Sequence, residues 1–377
     1  MSGFLTKCKD WYIAWRGFHT NRHLVIIESD DWGSIRMPST EIFHKLQKSG
    51  DYPENDAFLR NDCLENVADL TALFAVLTSI KDKNGSPAVM TANFAMANPD
   101  FDKIDPINEV YFFETFTNTY QRYYPEQDVF ACVQEGRELS CFVPQLHCRE
   151  HLNVNRWMKD LKQQKNDTVL AFQNHMIGIG TSFSQENPFG YMDAFNSNFT
   201  SGAELSNIVH EAMEIFENTF GKKSETFVAS CFVWDDSLED SLARVGIRGI
   251  QSGCWQNVPA GIENGNAMKR RLHFLGQKNH IGQVYTVRNC AYEPAYQQNP
   301  TKSAKECYNQ IIRAFQNRKP AIINSHRFNY ISSINRENAC ENLKGLSWLL
   351  HTIIKNVPDV EFISTPELLK IIDQESI

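Results

Sequence analysis

Two histidines four residues apart, His147 and His151, stand in the run Pro144-Gln145-Leu146-His147-Cys148-Arg149-Glu150-His151, directly after a short apolar stretch. At that spacing two imidazoles can grip one metal ion. Holding a divalent charge well also needs an anionic ligand, and chemistry at the ion needs an open coordination position. Residues 24–33, Leu-Val-Ile-Ile-Glu-Ser-Asp-Asp-Trp-Gly, offer the anion: an apolar, β-branched run ends in adjacent carboxylates, Asp30 and Asp31, before Gly33. The pattern predicts a strand that delivers acids to a site.

Alternating strand-like and helical stretches must position these groups. Strand-like runs fall at 24–28, 88–92, 142–146, 169–172, 226–233, 247–250, 284–287, 321–323 and 360–363. Between them, Leu64, Val67, Leu70, Leu73, Phe74, Leu77 and Ile80 share one helical face that stops at Gly85. A second helix carries Leu205 to Phe220, opened by a Ser201 to Glu204 capping box and closed by Gly221. Another such box, Ser303 to Glu306, opens 303–318; a long helix covers 334–355, and Thr365-Pro366-Glu367 opens the last one. Stretches 101–135, 178–200 and 252–283 read as loops or insertions over one end. No repeat, low-complexity tract or Pro/Gly/Ser-rich linker divides the chain, so residues 1–377 read as a single α/β domain of barrel type.

In a parallel α/β barrel, catalytic groups collect at the carboxyl ends of the strands, where the loops converge. On this reading Asp30 and Asp31 end the first strand, Asn93 the second, His147 the third and His175 the fourth. Trp234 with Asp235, Arg288 with Asn289, and finally His326 end later ones. Asn93, His175 and Arg288 are candidates for pocket lining or for structural hydrogen bonding.

The composition excludes several function classes. A net charge of −8 without a basic cluster argues against nucleic acid as a partner. The first 23 residues hold no apolar run of signal-peptide length, only Trp11 to Trp15 between charges, and no later run approaches a membrane span. The expectation is a soluble, cytoplasmic protein. Ten scattered cysteines without a Cys-x-x-Cys pair fit reduced, mostly buried thiols.

The order of an aspartate pair, then His-x-x-x-His, then a late strand ending in histidine resembles the polysaccharide deacetylase family, over roughly residues 20–370. The resemblance implies a distorted (β/α)7 barrel and divalent-metal removal of acetyl groups from an N-acetylated sugar, glycan or glycolipid. It implies that Asp30 is the catalytic base, that Asp31, His147 and His151 are metal ligands, and that His326 is the general acid protonating the departing amine. Two imidazoles and a carboxylate suit zinc first, with cobalt, manganese and iron compatible. Trp234 would be either a sugar-stacking platform or core, with core the default.

The chain departs from the family pattern in three places. Ser29 precedes the acid pair and Trp32 separates it from Gly33; Ser230-Cys231-Phe232-Val233-Trp234 lacks the arginine that pairs with the base; Asn324-Ser325-His326 replaces Leu-x-His. Arg288 or Arg149 could replace that arginine from another strand. Glu28, on the side of its strand that Asp30 faces, would tune the base or pair with such an arginine. Two alternatives remain. His147-x-x-Glu150-His151 also matches an inverted zincin peptidase, which requires a helix where Pro144 argues for a strand. A carbohydrate-binding barrel without turnover is the other.

Overall fold

A computed structural model describes residues 16–50, 56–179, 188–261, 263 and 267–375. The aromatics Trp11 and Trp15, and parts of the irregular stretches 178–200 and 252–283, lie outside the described residues. The strands are β1 (Leu24–Trp32), β2 (Met90–Ala95), β3 (Ala97–Pro99), β4 (Phe113–Thr115), β5 (Phe142–Cys148), β6 (Thr226–Val228) and β7 (Gly249–Ser252). They continue with β8 (Trp255–Pro259), β9 (Met268–Leu272), β10 (Val284–Val287), β11 (Cys290–Ala291), β12 (Ala321–His326) and β13 (Glu361–Phe362).

Nine strands form the main sheet in the order β10-β7-β6-β5-β2-β1-β12-β11, with β13 added on β1. Every pairing in it is parallel. Helices supply most of the crossovers, with the β8–β9 ribbon joining β7 to β10 instead, so this is an α/β fold. The sheet curls strongly. Five strand spacings separate β10 from β1, about 24 Å if flat, yet Arg288, just past β10, donates from Nε to Glu28 on β1 at 2.7 Å. The two path-end strands, β10 and β11, are also consecutive in the chain. Between them the N–H of Arg288 reaches Ser252 O on β7 at 2.9 Å, and that of Asn289 reaches Ile322 O on β12 at 3.1 Å.

Local sequence explains most elements. All nine residues of β1 are buried, as its apolar run requires of a central parallel strand. Helix Gly202–Phe220 starts where Ser201 accepts from the Glu204 N–H and ends at left-handed Gly221. Helix Pro300–Gln316 starts three residues ahead of the expected Ser303, because Asn299 caps it and Pro300 fits its first turn. Two strand expectations fail. Residues 169–172 lie inside helix Asn166–Gln173, and β6 stops at Val228 because Cys231 and Phe232 turn left-handed, at φ 57° and 52°. The stretches read as loops hold regular structure: 101–135 contains β4 and helix Phe116–Tyr123, and 252–283 contains the antiparallel β8–β9 ribbon.

Candidate active site

The carboxyl ends of β1, β5 and β12 open into one cavity of about 610 Å³, lined by Asp30, Asp31, His147, His151 and His326. In a regular strand, adjacent Asp30 and Asp31 would face opposite sides. Here the β1–β2 register shifts between Ser29 and Trp32. Asp31 takes φ 75°, a left-handed conformation that aspartate tolerates better than most residues, and its carbonyl accepts from the Ser34 N–H. The bulge turns both carboxylates into the same mouth.

Asp31 Oδ1 lies 3.4 Å from His147 Nε2 and 3.3 Å from His151 Nε2. One ligand atom from each of the three residues falls within 4.8 Å of the others. Whether this set suits a cation can be judged from its own chemistry. His147 Nδ1 meets Val228 O at 2.8 Å, which assigns the proton to Nδ1 and leaves Nε2 a lone pair. That Nε2 is buried without a hydrogen-bond partner. Burial pushes His151 down to about 3, keeping it neutral, the form that ligates. Burial opposes ionisation of Asp31, but Arg36 and the histidines hold it well below the usual carboxylate range. An ionised carboxylate, a neutral imidazole and a free Nε2 lone pair, converging in one buried cluster, are a donor set that fits a divalent cation.

Asp30 is clamped as an acceptor. Arg288 reaches it with Nη1 and Nη2 at 2.7 Å each, and Asn93 Nδ2 donates to Oδ1 at 2.7 Å. Burial pushes Asp30 up, but Arg288 outweighs it and holds the carboxyl at about 2. Arg288 thus occupies the role left open by the missing arginine. Arg149 does not: it pairs with Glu150 at 2.5 Å and with Glu211. Burial raises Glu28 against the pull of Arg288.

His326 pairs in register with Asp30 across β1 and β12; its Nε2 stands 4.0 Å from Asp30 Oδ2 and its Nδ1 meets Glu293 Oε1 at 2.5 Å. Burial pulls its imidazole down, but Glu293, with Asp31 and Asp30, raises it to about 9. Acceptor and protonated donor therefore flank the Asp31, His147 and His151 cluster. Phe58, Tyr296 and Phe232 add aromatic walls.

Two expected substrate contacts lie elsewhere. His175 follows a helix rather than a strand; it is half-buried, stacked on Phe101 with ring centroids 5.3 Å apart, and 3.7 Å from Asp102. Trp234 is fully buried, with Nε1 donating to Glu239 at 2.9 Å, so it is core and not a platform. Asn93 and Arg288 hold Asp30 rather than line the open cavity. Sequence reasoning missed Arg36 and Glu293. Glu293 sits two residues past β11, so the strand-end rule applied to 290–291 would have found it; nothing in the sequence marks Arg36. Glu150 lies outside the cavity, ion-paired with Arg149, and His147 stands on a strand.

No family model matches the chain, and no curated protein matches it. Structural likeness extends to a proposed polysaccharide deacetylase from Mycobacterium smegmatis, at 9% identity and TM-score 0.44, over 96% of this chain and 94% of that one. A family 4 acetyl xylan esterase from Clostridium thermocellum, in complex with a cobalt ion, aligns at 9% identity and TM-score 0.37, over 92% and 91%. A GH57-type branching enzyme from Pyrococcus horikoshii aligns at 9% identity and TM-score 0.47, over 93% and 70%. At these values the functional reading rests on the site itself. Among the described residues, no helix is long and apolar enough to cross a membrane.

Proposed function

We propose that this chain is a metal-dependent hydrolase that removes an acetyl group from an N-acetylated sugar, glycan or glycolipid, and that its curled sheet is a distorted (β/α)7 barrel. One observation carries the reading: a proton acceptor, Asp30, and a proton donor, His326, flank a buried Asp-His-His cluster in a single cavity. A divalent ion held by Asp31, His147 and His151, zinc by preference, would supply the Lewis acidity that activates water and polarises the acyl carbonyl. Asp30, fixed by Arg288 and Asn93, accepts the proton of the attacking water. His326, protonated through Glu293, gives a proton to the amine nitrogen, which is too basic to leave unassisted. The peptidase reading draws no support, since its base would be Glu150, outside the cavity.

Elemental analysis and acetate release from N-acetylated sugars test this together. The parent should carry one divalent ion per chain, and Asp31→Ala and His147→Ala should lose both metal and turnover. Variants with the parent's metal content would sink the assignment.

A further inference from the structure

Arg36 is buried in the wall of the same cavity, five residues beyond Asp31. Its Nη2 donates to Asp31 Oδ2 at 3.2 Å. Its other donors are poorly used. Nη1 meets the Met192 thioether sulfur at 2.9 Å, a weak acceptor, and Nε has no hydrogen-bond partner. A second carboxylate oxygen, Asp62 Oδ2, forms an ion pair 3.5 Å from Nε without a hydrogen bond, while Asp62 Oδ1 accepts from Nε and Nη2 of Arg327 at 3.1 and 2.8 Å. The Phe58 ring covers the guanidinium at 4.7 Å. Among the described residues, Asp31 is therefore the one carboxylate hydrogen-bonded to Arg36.

We propose that Arg36 is a positioning residue and internal counter-cation: it holds Oδ2 of Asp31 so that Oδ1 alone faces the imidazoles, and it weakens the hold on the metal. The inference rests on the proposed metal site. Two effects of removing Arg36 oppose each other. Loss of orientation around a ligand costs roughly 10–100-fold in affinity. Removing a unit positive charge that is hydrogen-bonded to a dication's carboxylate ligand favours binding by on the order of 10³-fold or more, even at an effective dielectric of about 20. The charge effect wins, so the variant binds metal more tightly, the opposite of what a merely structural residue would give.

The test is Zn²⁺ affinity by chelator competition for the parent, Arg36→Gln and Arg36→Lys, with folding checked by circular dichroism. Arg36→Gln should bind at least about tenfold more tightly, and Arg36→Lys, which keeps the charge, should stay near the parent. A folded Arg36→Gln with unchanged or weaker affinity overturns the proposal and leaves the metal site standing. A parent that binds no Zn²⁺ overturns both. If Arg36→Gln does not fold, Asp62→Asn carries the test: it strips the neighbouring carboxylate from Arg36, so affinity should fall severalfold, and equal or tighter binding overturns the proposal.

Discussion

Exchanging Asp30 for asparagine and Glu150 for glutamine separates the two candidate bases, because these carboxylates have similar partners and different surroundings. Asp30 accepts three N–H donors at 2.7 Å, two from Arg288 and one from Asn93. Asp30→Asn keeps the shape but turns an NH₂ toward those donors. An uncompensated buried charge costs about 3–5 kcal/mol, but Arg288 keeps Glu28 at 2.7 Å, so we expect about 2 kcal/mol here. In a chain of 377 residues that moves Tm by only a few degrees, and the protein stays folded at assay temperature. Loss of the positioned base lowers turnover by on the order of 10²–10⁴. Glu150→Gln likewise weakens a buried pair, though Arg149 keeps Glu211, so it too should cost about 2 kcal/mol. It touches nothing in the cavity, and acetate release should stay within about threefold of the parent, well short of the loss of a positioned base. The assay is acetate release from N-acetylated sugars, alongside peptide cleavage, on variants shown to retain metal. A folded Glu150→Gln that loses activity while Asp30→Asn keeps it would refute the reasoning.

Four further outcomes follow from the same geometry. As the proposed acid, His326, raised to about 9, is protonated below that value, so kcat/KM should fall as pH climbs through about 9. Glu293→Gln removes the carboxylate on Nδ1 and should move that alkaline limb about one unit or more to lower pH; an unmoved limb would put the acid elsewhere. Trp234→Phe removes the indole donor to Glu239 and should cost about 1–3 kcal/mol in chemical denaturation with KM for the sugar unchanged, whereas a raised KM at parental stability would restore the platform role. His175→Ala, at a half-buried position outside the cavity lining, should lose the Phe101 stack and leave turnover at the parental value.

Legibility in the sequence followed how local each signal was. The central strands could be read because burial on both faces leaves a continuous apolar run, as in Leu24 to Ile27, and the Asp31, His147 and His151 cluster could be read because Asp31 and His147 follow such runs and His151 stands four residues on. The 169–172 error has the same root: Thr-Val-Leu-Ala is apolar in either conformation, and four residues are too few to show a period. His175 was carried into the site by that misread strand. Arg36 was invisible for another reason: its role depends on a contact with Asp31 made at the bulged end of β1, and no spacing rule encodes it. Glu293 was overlooked because β11, Cys290–Ala291, is too short to stand out as an apolar run.

The site also concentrates features that oppose stability. Asp31, Cys231 and Phe232 hold positive φ, each at a cost of order 1–3 kcal/mol, and the linked ion pairs around the cavity bury charge that a hydrophobic core would not carry. Such features persist when the surrounding structure over-determines them, and here it does: Asp31 is fixed by Arg36 and by the Ser34 N–H, while the turn at Cys231 is closed by hydrogen bonds from Phe232 and Val233 back to Ala229 and Ser230. The strain has a geometric result in both places. Positive φ at Asp31 brings a second carboxylate to the same side as the first, and the left-handed turn after β6 brings Cys231 and Phe232 to the cavity wall while leaving Val228 O free to orient His147. Relaxing Asp31 into an extended strand would send its carboxylate to the opposite face and leave His147 and His151 without an anionic partner, so the local strain and the ligand set stand or fall together.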